Sequence, residues 1–238
     1  MSTRSEIRSQ CRVILNETDS ANTHFSDTNI NEYIDQAQTF LASLIEYPRK
    51  FSSGTQAIDD TAKYALPTDN LIIISIYFGD ISIANDIHPL QIVSEEVLTS
   101  MFPQWLDATS STKGRPQYAV VIDRNDILLY PRPDSENSAT GKKIYIDYVY
   151  VPASLASDSA SPDLPLPYHN LIQFYVAHLA YLRLQQQDAS IQSLKIFAEK
   201  VKALKSVVVK ETQQSLGWQW GVHEGGSTEL IYGGVRFT

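Results

Sequence analysis

Cysteine is almost absent from this chain of 238 residues, which contains Cys11 alone. A single cysteine cannot form an intramolecular disulfide, and a chain of this length can bury enough apolar surface to fold without one. We therefore interpret Cys11 as a small buried residue on a helix, the usual setting of a free cysteine. Such a chain is compatible with folding in a reducing cytoplasm.

Long apolar runs are also missing. No stretch approaches the ~20 apolar residues that a membrane-spanning helix needs. Residues 1–16 carry Arg4, Arg8 and Arg12 among scattered apolar residues, whereas a signal peptide has a continuous apolar segment. The sequence therefore predicts a soluble protein that is synthesised in the cytoplasm and has no membrane partner.

The residue patterns of common enzymes are absent as well. The sequence has no phosphate-binding loop, dinucleotide-binding glycine pattern or nucleophile elbow. The five histidines are scattered and lack the spacing of zinc ligands: His24, His88, His169, His178 and His223. We expect His169 and His178 to serve local hydrogen bonds. The sequence predicts no enzyme, with no catalytic residue, no metal site and no cofactor.

Asp123 and Asp126 are the nearest approach to a catalytic pair. Two carboxylates could cleave a glycosidic bond if a sugar lay between them. Acidic residues this close in sequence are, however, typical of a tight turn, where their side chains bind backbone N–H groups. We interpret both residues as parts of a hairpin turn.

The net charge of −8 is concentrated in the middle of the chain. Residues 51–165 hold 15 acidic and 7 basic residues, whereas residues 166–215 hold 3 acidic and 6 basic ones. Tight binding to a phosphate backbone requires clustered Lys and Arg. The acidic excess therefore argues against strong nucleic-acid binding, and its simplest role is to keep the surface solvated.

Both ends of the chain predict pairs of amphipathic helices. Thr3 and Glu6 have the spacing of a capping box, and Ser26 is a second cap, flanked by Phe25 and Ile30 in the spacing of a hydrophobic staple. Apolar residues then recur at helical intervals through residues 1–55 and again through residues 166–215. Each pair leaves an apolar seam open, so we expect the two pairs to form one helical bundle.

Residues 56–165 change to a period of about two. Runs rich in β-branched and aromatic residues predict strands at 71–78, 118–122, 127–130 and 144–150. Residues 94–101 predict a short capped helix between two of them. We therefore expect an α+β fold, in which a small antiparallel β-unit is inserted into the helical bundle.

Residues 216–238 differ again, because they hold six of the ten glycines and two of the three tryptophans. A glycine-rich segment cannot build its own core, and its aromatic residues are costly to leave in water. We predict an extended docking arm that packs on another molecule, with packing on its own domain as the alternative. The predicted anchors are Trp218, Trp220, Leu230, Ile231, Tyr232, Val235 and Phe237.

Proline-containing motifs mark the boundaries of these segments. Tyr-Ala-Leu-Pro occurs at 64–67, Leu-Tyr-Pro-Arg-Pro-Asp at 129–134, a strand end at 148–152, and Leu-Pro-Leu-Pro-Tyr-His at 164–169. With the capped helix pair, their order and spacing over residues 1–210 resemble the head-to-tail adaptor (connector) proteins of tailed bacteriophages.

The resemblance implies a structural protein of the virion neck, at the head-tail junction. Such a protein forms a homo-oligomeric ring, typically a dodecamer, beneath the portal protein of the DNA-filled head. The ring extends the DNA channel and provides the attachment site for the tail, stopper or nozzle protein. Double-stranded DNA would pass through it without specific binding during genome ejection. The docking arm would then contact the portal or a neighbouring subunit.

Two other functions remain open at this point. A tail-completion or tail-terminator ring would also be structural, but it would contact subunits of the tail tube instead of a portal. A tail module that binds host glycan would need exposed aromatics on the β-unit and a trimeric or fibrous stalk. The sequence contains no repeats that would build such a stalk.

Overall fold

The computed structural model describes residues 2–17, 23–105, 112–215, 219–222, 228–232 and 235–237, with side chains up to residue 205. The chain divides into two compact units. The helical unit comprises residues 1–41 and 154–238, and the sheet unit comprises residues 42–153.

Five helices and eleven strands lie within the described residues. The helices are α1 (Arg4–Ile14), α2 (Asp27–Ile45), α3 (Glu95–Met101), α4 (Leu166–Arg183) and α5 (Gln187–Ser215). The strands are β1 (Arg49–Phe51), β2 (Thr55–Gln56), β3 (Lys63–Ala65), β4 (Asn70–Gly79), β5 (His88–Ile92), β6 (Tyr118–Val121), β7 (Asp126–Tyr130), β8 (Lys143–Tyr150), β9 (Gln219–Val222), β10 (Thr228–Tyr232) and β11 (Val235–Phe237). No helix in the described part of the chain is long and apolar enough to cross a membrane.

The predicted helix starts are confirmed where a local cap defines them. Glu6 N–H donates to Thr3 Oγ1 (3.3 Å) and Thr3 N–H donates to Glu6 Oε2 (2.9 Å), which completes the capping box of α1. Asn29 N–H donates to the hydroxyl of Ser26 (3.2 Å) at the start of α2. Ser94 accepts from Val97 N–H (3.3 Å) at the start of α3. These hydrogen bonds satisfy N–H groups that the first helical turn leaves without partners.

The helical unit is held by apolar packing and by polar bonds to α1. Ile7 and Cys11 of α1 are fully buried, as the helical spacing predicts. The hydroxyl of Tyr181, on α4, donates to the carbonyl oxygen of Ile14 (3.1 Å) and so ties α4 to the end of α1. Pro165 and the residues after it begin α4, where the missing N–H of a proline costs no helical hydrogen bond.

The sheet unit contains an eight-stranded mixed sheet. The strand order is β1-β8-β4-β5-β6-β7-β3, and β2 also pairs with β8. Neighbouring strands are antiparallel except β5 and β6, which run parallel with Gln91 opposite Tyr118 and Ile92 opposite Ala119. The chain between those two strands includes α3, as a parallel pair needs a longer connection than a hairpin.

One apolar core spans almost the whole width of this sheet. It includes Tyr64 of β3, Phe78 of β4, Leu129 of β7 and Tyr148 of β8. Because β3 lies at one end of the strand order and β8 lies next to the other end, a shared core requires the sheet to curl into a half-barrel. A second cluster forms where Leu98 of α3 meets residues of β6 and β7.

The predicted fold class is therefore wrong. The chain is not a helical bundle with a small antiparallel β-unit, because the strands form a large mixed sheet with its own core. β1 and β2 were not predicted, and β3 was indicated only by the Tyr-Ala-Leu-Pro motif that enters the sheet; these strands have two or three residues each and are too short to show a period. The sequence analysis also missed β5, in which Pro89 interrupts the pattern of a strand.

The predicted extended conformation of the C-terminal arm is also wrong, because its strands form a small sheet. Within residues 216–238, β9, β10 and β11 form a three-stranded antiparallel sheet in the order β11-β10-β9. The strands pair with one another, because short strands next to each other in sequence satisfy their backbone groups at little entropic cost.

Candidate functional site

The small C-terminal sheet contains most of the predicted docking residues. Its register places Trp220 opposite Leu230, and Leu230 opposite Phe237, so these three residues form one row across the sheet. Tyr232 lies opposite Val235 in the next row on the same face. Trp218 lies outside the described residues.

The two faces of this sheet differ in composition. Positions alternate along a strand, so the face of Leu230 also receives Val222 and Thr228, whereas the opposite face receives Gln219, Glu229 and Arg236. Ile231 is the one predicted anchor placed on the polar face. The described strands therefore make a small sheet with one apolar face, which we call the C-terminal apolar face: Trp220, Val222, Leu230, Tyr232, Val235 and Phe237.

Helix α5 leads to this sheet and is anchored by aromatic packing near its middle. Phe197 is 2% exposed. Its ring centroid lies 5.3 Å from that of Tyr175 on α4 and 6.0 Å from that of Phe40 on α2. Phe40 and Tyr175 also stack on each other at 4.6 Å. Three helices of the helical unit thus share one aromatic cluster, which we call the Phe197 cluster.

An arginine pair holds the N-terminal helix to the segment before α4. Arg4 and Arg8 of α1 both bind the carboxylate of Asp158, with N–O distances of 2.7 and 3.0 Å. The hydrogen bonds from Arg8 and then Arg4 lower the pKa of Asp158 to about 2. These bonds favour the ionised carboxylate, so the contact is strongest when Asp158 is charged.

The residues considered for catalysis have structural roles. The Asp123 carboxylate accepts from the N–H groups of Asn125 (2.7 Å) and Asp126 (2.9 Å), which is the turn that the sequence predicts. Asp126 pairs with Lys63 at 2.9 Å. The apolar surroundings of Cys11 raise the pKa of its thiol to about 12, so the reactive thiolate is strongly disfavoured.

The side chains of His169, His178 and His88 bind neighbouring groups, as expected for His169 and His178. The Nε2–H of His169 donates to the carbonyl oxygen of Leu164 (2.8 Å), just before α4. Nδ1 of His178 lies 2.8 Å from the hydroxyl of Ser190, on α5. The Nε–H of Arg115 donates to Nδ1 of His88 (3.1 Å). Among the described residues there is no group of three His, Cys, Asp or Glu side chains that could hold a metal ion.

The chain was compared with known protein families and with curated proteins. The sequence model of one family, described as SU10 adaptor protein, matches residues 2–220. The chain belongs to the SU10 adaptor protein family. This is a family of phage head-tail adaptors, so the resemblance drawn from the proline motifs and the capped helices is confirmed. No curated protein matches the chain.

The extent of the SU10 adaptor match bears on the candidate site. It covers both compact units and ends within β9, at Trp220. The strands β10 and β11 lie beyond the matched residues, although their register with β9 completes the C-terminal apolar face. Membership in a family of structural adaptors indicates a virion-assembly role and gives no evidence of an enzyme.

One exposed feature of the sheet unit was not predicted from the sequence. Residues 80–86, which we call the β4–β5 tip, connect two neighbouring strands and expose Ile81 and Ile83 to solvent. An available signal was the sequence Gly79-Asp80, followed by Asn85-Asp86, because these residue types are typical of turns. The apolar residues between them were not recognised as exposed.

Proposed function

We propose that this protein is the head-to-tail adaptor of a tailed phage and lies in the neck of the virion. Identical subunits, twelve in the expected ring, dock beneath the portal protein and extend its DNA channel. The lower face of the ring provides the attachment site for the tail, stopper or nozzle protein. The observation that supports this most strongly is the family match over residues 2–220. It favours an adaptor over a tail-terminator ring or a glycan-binding tail module.

The C-terminal apolar face is the proposed joint with the portal or with a neighbouring subunit. Buried aromatic anchors dominate the binding energy of many interfaces, and truncating one typically costs about 2 kcal/mol or more. Trp220, Leu230 and Phe237 form a single row of this kind. Apart from Ile231 and Gly221, polar residues occupy the opposite face, so the sheet can bury one face in a partner and keep the other in water.

The acidic excess of the sheet unit fits a protein through which DNA passes. Each Lys or Arg contact to phosphate adds affinity that depends on salt concentration and would hold the duplex in place. An acidic surface avoids such contacts, so the duplex can slide during packaging and ejection. We therefore propose that the protein surrounds DNA without binding it.

The first test removes residues 216–238 from the adaptor and co-expresses the remainder with the portal protein of the same phage. The helical and sheet units have their own packing, so we expect the truncated chain to fold but to lose portal binding or self-assembly. Binding with unchanged affinity, or loss of the fold, would contradict the role assigned to the C-terminal sheet.

A matched pair of variants makes this test specific to one face. The apolar-row variant replaces Trp220, Leu230 and Phe237 with alanine, and the polar-face variant replaces Gln219, Ile231 and Arg236, which occupy the adjacent row. At about 2 kcal/mol for each anchor, a single alanine such as Trp220→Ala raises the dissociation constant about 30-fold. We expect the polar-face variant to bind within a few-fold of the full protein. Equal loss in both variants would reject the face assignment.

A further inference from the structure

Two surfaces of the sheet unit are complementary to each other. The first is the β4–β5 tip, where Ile81 is 67% exposed and Ile83 is 52% exposed. The second is a cavity of about 410 Å³, which we call the β4–β6 pocket. Its apolar wall is formed by Leu71, Ile73, Ile92 and Val121, and charged Asp123 and Arg124 also line it.

The β4–β5 tip is rigidly held. The carboxylate of Asp86 accepts from Asp80 N–H (2.6 Å) and binds the ammonium group of Lys142 through both oxygens (2.8 Å each). Asp80 accepts from the N–H and the hydroxyl of Ser82 (2.9 and 2.6 Å). A Cβ at Gly79 would overlap the carbonyl oxygen of Asp86, so the loop closes tightly over this glycine. Two isoleucines exposed on a rigid loop lose little conformational entropy when they enter a partner.

The charges beside the two surfaces are opposite. Asp80 adjoins the exposed isoleucines and forms no ion pair with any described residue. Arg124 in the pocket is exposed and donates to the carbonyl oxygen of Asn70 (3.2 Å), and within the described part of the chain it meets no carboxylate. Asp123 also lines the pocket, and its carboxylate accepts from two backbone N–H groups of its own turn, as Asp80 accepts from Ser82 at the tip. Within the described residues, the tip thus presents a carboxylate and the pocket a guanidinium that each lack a salt-bridge partner, although the hydrogen bonds from Ser82 and, to a lesser degree, the charge of Lys142 lower the pKa of Asp80.

The tip and the pocket lie at opposite ends of the same strand. Ile73, in the pocket, precedes Gly79 at the end of β4 by six residues, which corresponds to about 20 Å of extended strand. A tip therefore cannot enter the pocket of its own molecule, and a second copy of the chain is the occupant that the geometry allows. A contact between two different surfaces of identical subunits is heterologous, and repeating it around an axis builds a ring.

We propose that the β4–β5 tip of one subunit inserts Ile81 and Ile83 into the β4–β6 pocket of the next subunit, with Asp80 pairing with Arg124. This inference rests on the ring of the proposed function and names the contact that closes it. Burying two exposed isoleucines supplies the apolar part of the contact, and the ion pair sets its direction.

The test uses cysteine cross-linking between copies of the full chain. Cys11 is fully buried, so introduced surface cysteines are the reactive ones among the described residues. The variant Ile83→Cys with Val121→Cys carries one cysteine on each surface, and a short bismaleimide joins those that meet. We expect a ladder of covalent multimers, whereas either single variant stops at dimers.

A matched control replaces the tip cysteine by one at Ile58, which is 58% exposed in the same unit but lies outside both surfaces. Ile58→Cys with Val121→Cys should give no ladder. A ladder of equal yield from this control, or none from the tip and pocket pair, would overturn the proposal. When Arg124→Glu is added to the variant Ile83→Cys with Val121→Cys, most of the ladder should disappear. Adding Asp80→Lys to that chain should restore the ladder, because the ion pair then forms with its charges reversed. An unchanged yield would reject the ion pair.

Electron microscopy of the unmodified protein separates this inference from the proposed function. Closed rings without a ladder would contradict the tip and pocket contact and leave the adaptor ring in place. A ladder without closed rings would support the contact and contradict the ring. Absence of both would reject both.

Discussion

The Phe197 cluster allows a sharp test of how the helical unit is held together. Phe197 is 2% exposed and packs against Tyr175 and Phe40, so truncation to alanine removes a buried ring from the junction of three helices. Replacing a buried phenylalanine by alanine typically costs 3–5 kcal/mol, because apolar burial is lost and a cavity remains. We expect Phe197→Ala to lower the free energy of unfolding by about that amount.

Helix α5 also provides the control. Ile191 lies on the same helix but is 52% exposed, so Ile191→Ala should change stability by less than about 0.5 kcal/mol. Urea unfolding followed by far-UV circular dichroism reports mainly on the helices. With a denaturant dependence of about 2 kcal/mol per molar urea, the midpoint of Phe197→Ala should fall by about 1.5–2.5 M. Similar midpoints for the two variants would show that the Phe197 cluster does not hold the unit.

Four further outcomes follow from the structure. Asp158 has a pKa of about 2, below its ordinary value of 3.8, so its contribution to stability should be complete above about pH 4 and lost as the pH falls toward 2. Asp158→Asn should remove this part of the pH dependence of the melting temperature. Identical profiles for the two proteins would contradict a stabilising role of the Asp158 carboxylate. Gly79→Ala should destabilise the sheet unit by about 1–3 kcal/mol in urea unfolding, because alanine disfavours a φ of +143° and its Cβ would meet Asp86. A neutral effect would show that the β4–β5 tip is not rigid. Cys11 should resist alkylation in the native protein and react once urea unfolds it, as mass spectrometry can follow; rapid native labelling would contradict its burial. Duplex DNA should bind more weakly than micromolar at low salt in a fluorescence anisotropy titration, and tighter binding would reject passage without binding.

The features that could be predicted from the sequence are those set by near neighbours. The capping box of Thr3 and Glu6 depends on residues three positions apart, and the turn at Asp123 depends on the next three residues. The longer strands, β4 and β8, carry runs of β-branched and aromatic residues that are long enough to recognise. Each of these was found from local pattern alone.

The sheet as a whole depends on pairings between distant residues. Arg49 of β1 lies opposite Val149 of β8, and Lys63 of β3 lies opposite Leu128 of β7. A two- or three-residue strand has no periodic signal of its own, and its partner supplies most of the hydrogen bonds that define it. Local sequence therefore could not reveal that the β-unit is a large curled sheet.

The candidate sites also combine features visible in the local sequence with features that depend on pairing between strands. The C-terminal anchors were visible because tryptophan and glycine are concentrated there, whereas their division into two faces depends on the register of β9, β10 and β11. The β4–β6 pocket combines residues from β4, β5 and β6 and the following turn, which no local pattern brings together.

The measurement closest to the central claim is electron microscopy of the protein co-expressed with the portal protein of its own phage. The proposed function predicts that the two proteins purify together and that class averages show a ring of this chain docked on one face of the portal. A chain that remains monomeric beside intact portals, or that joins tail-tube subunits instead, would contradict the assignment as the head-to-tail adaptor.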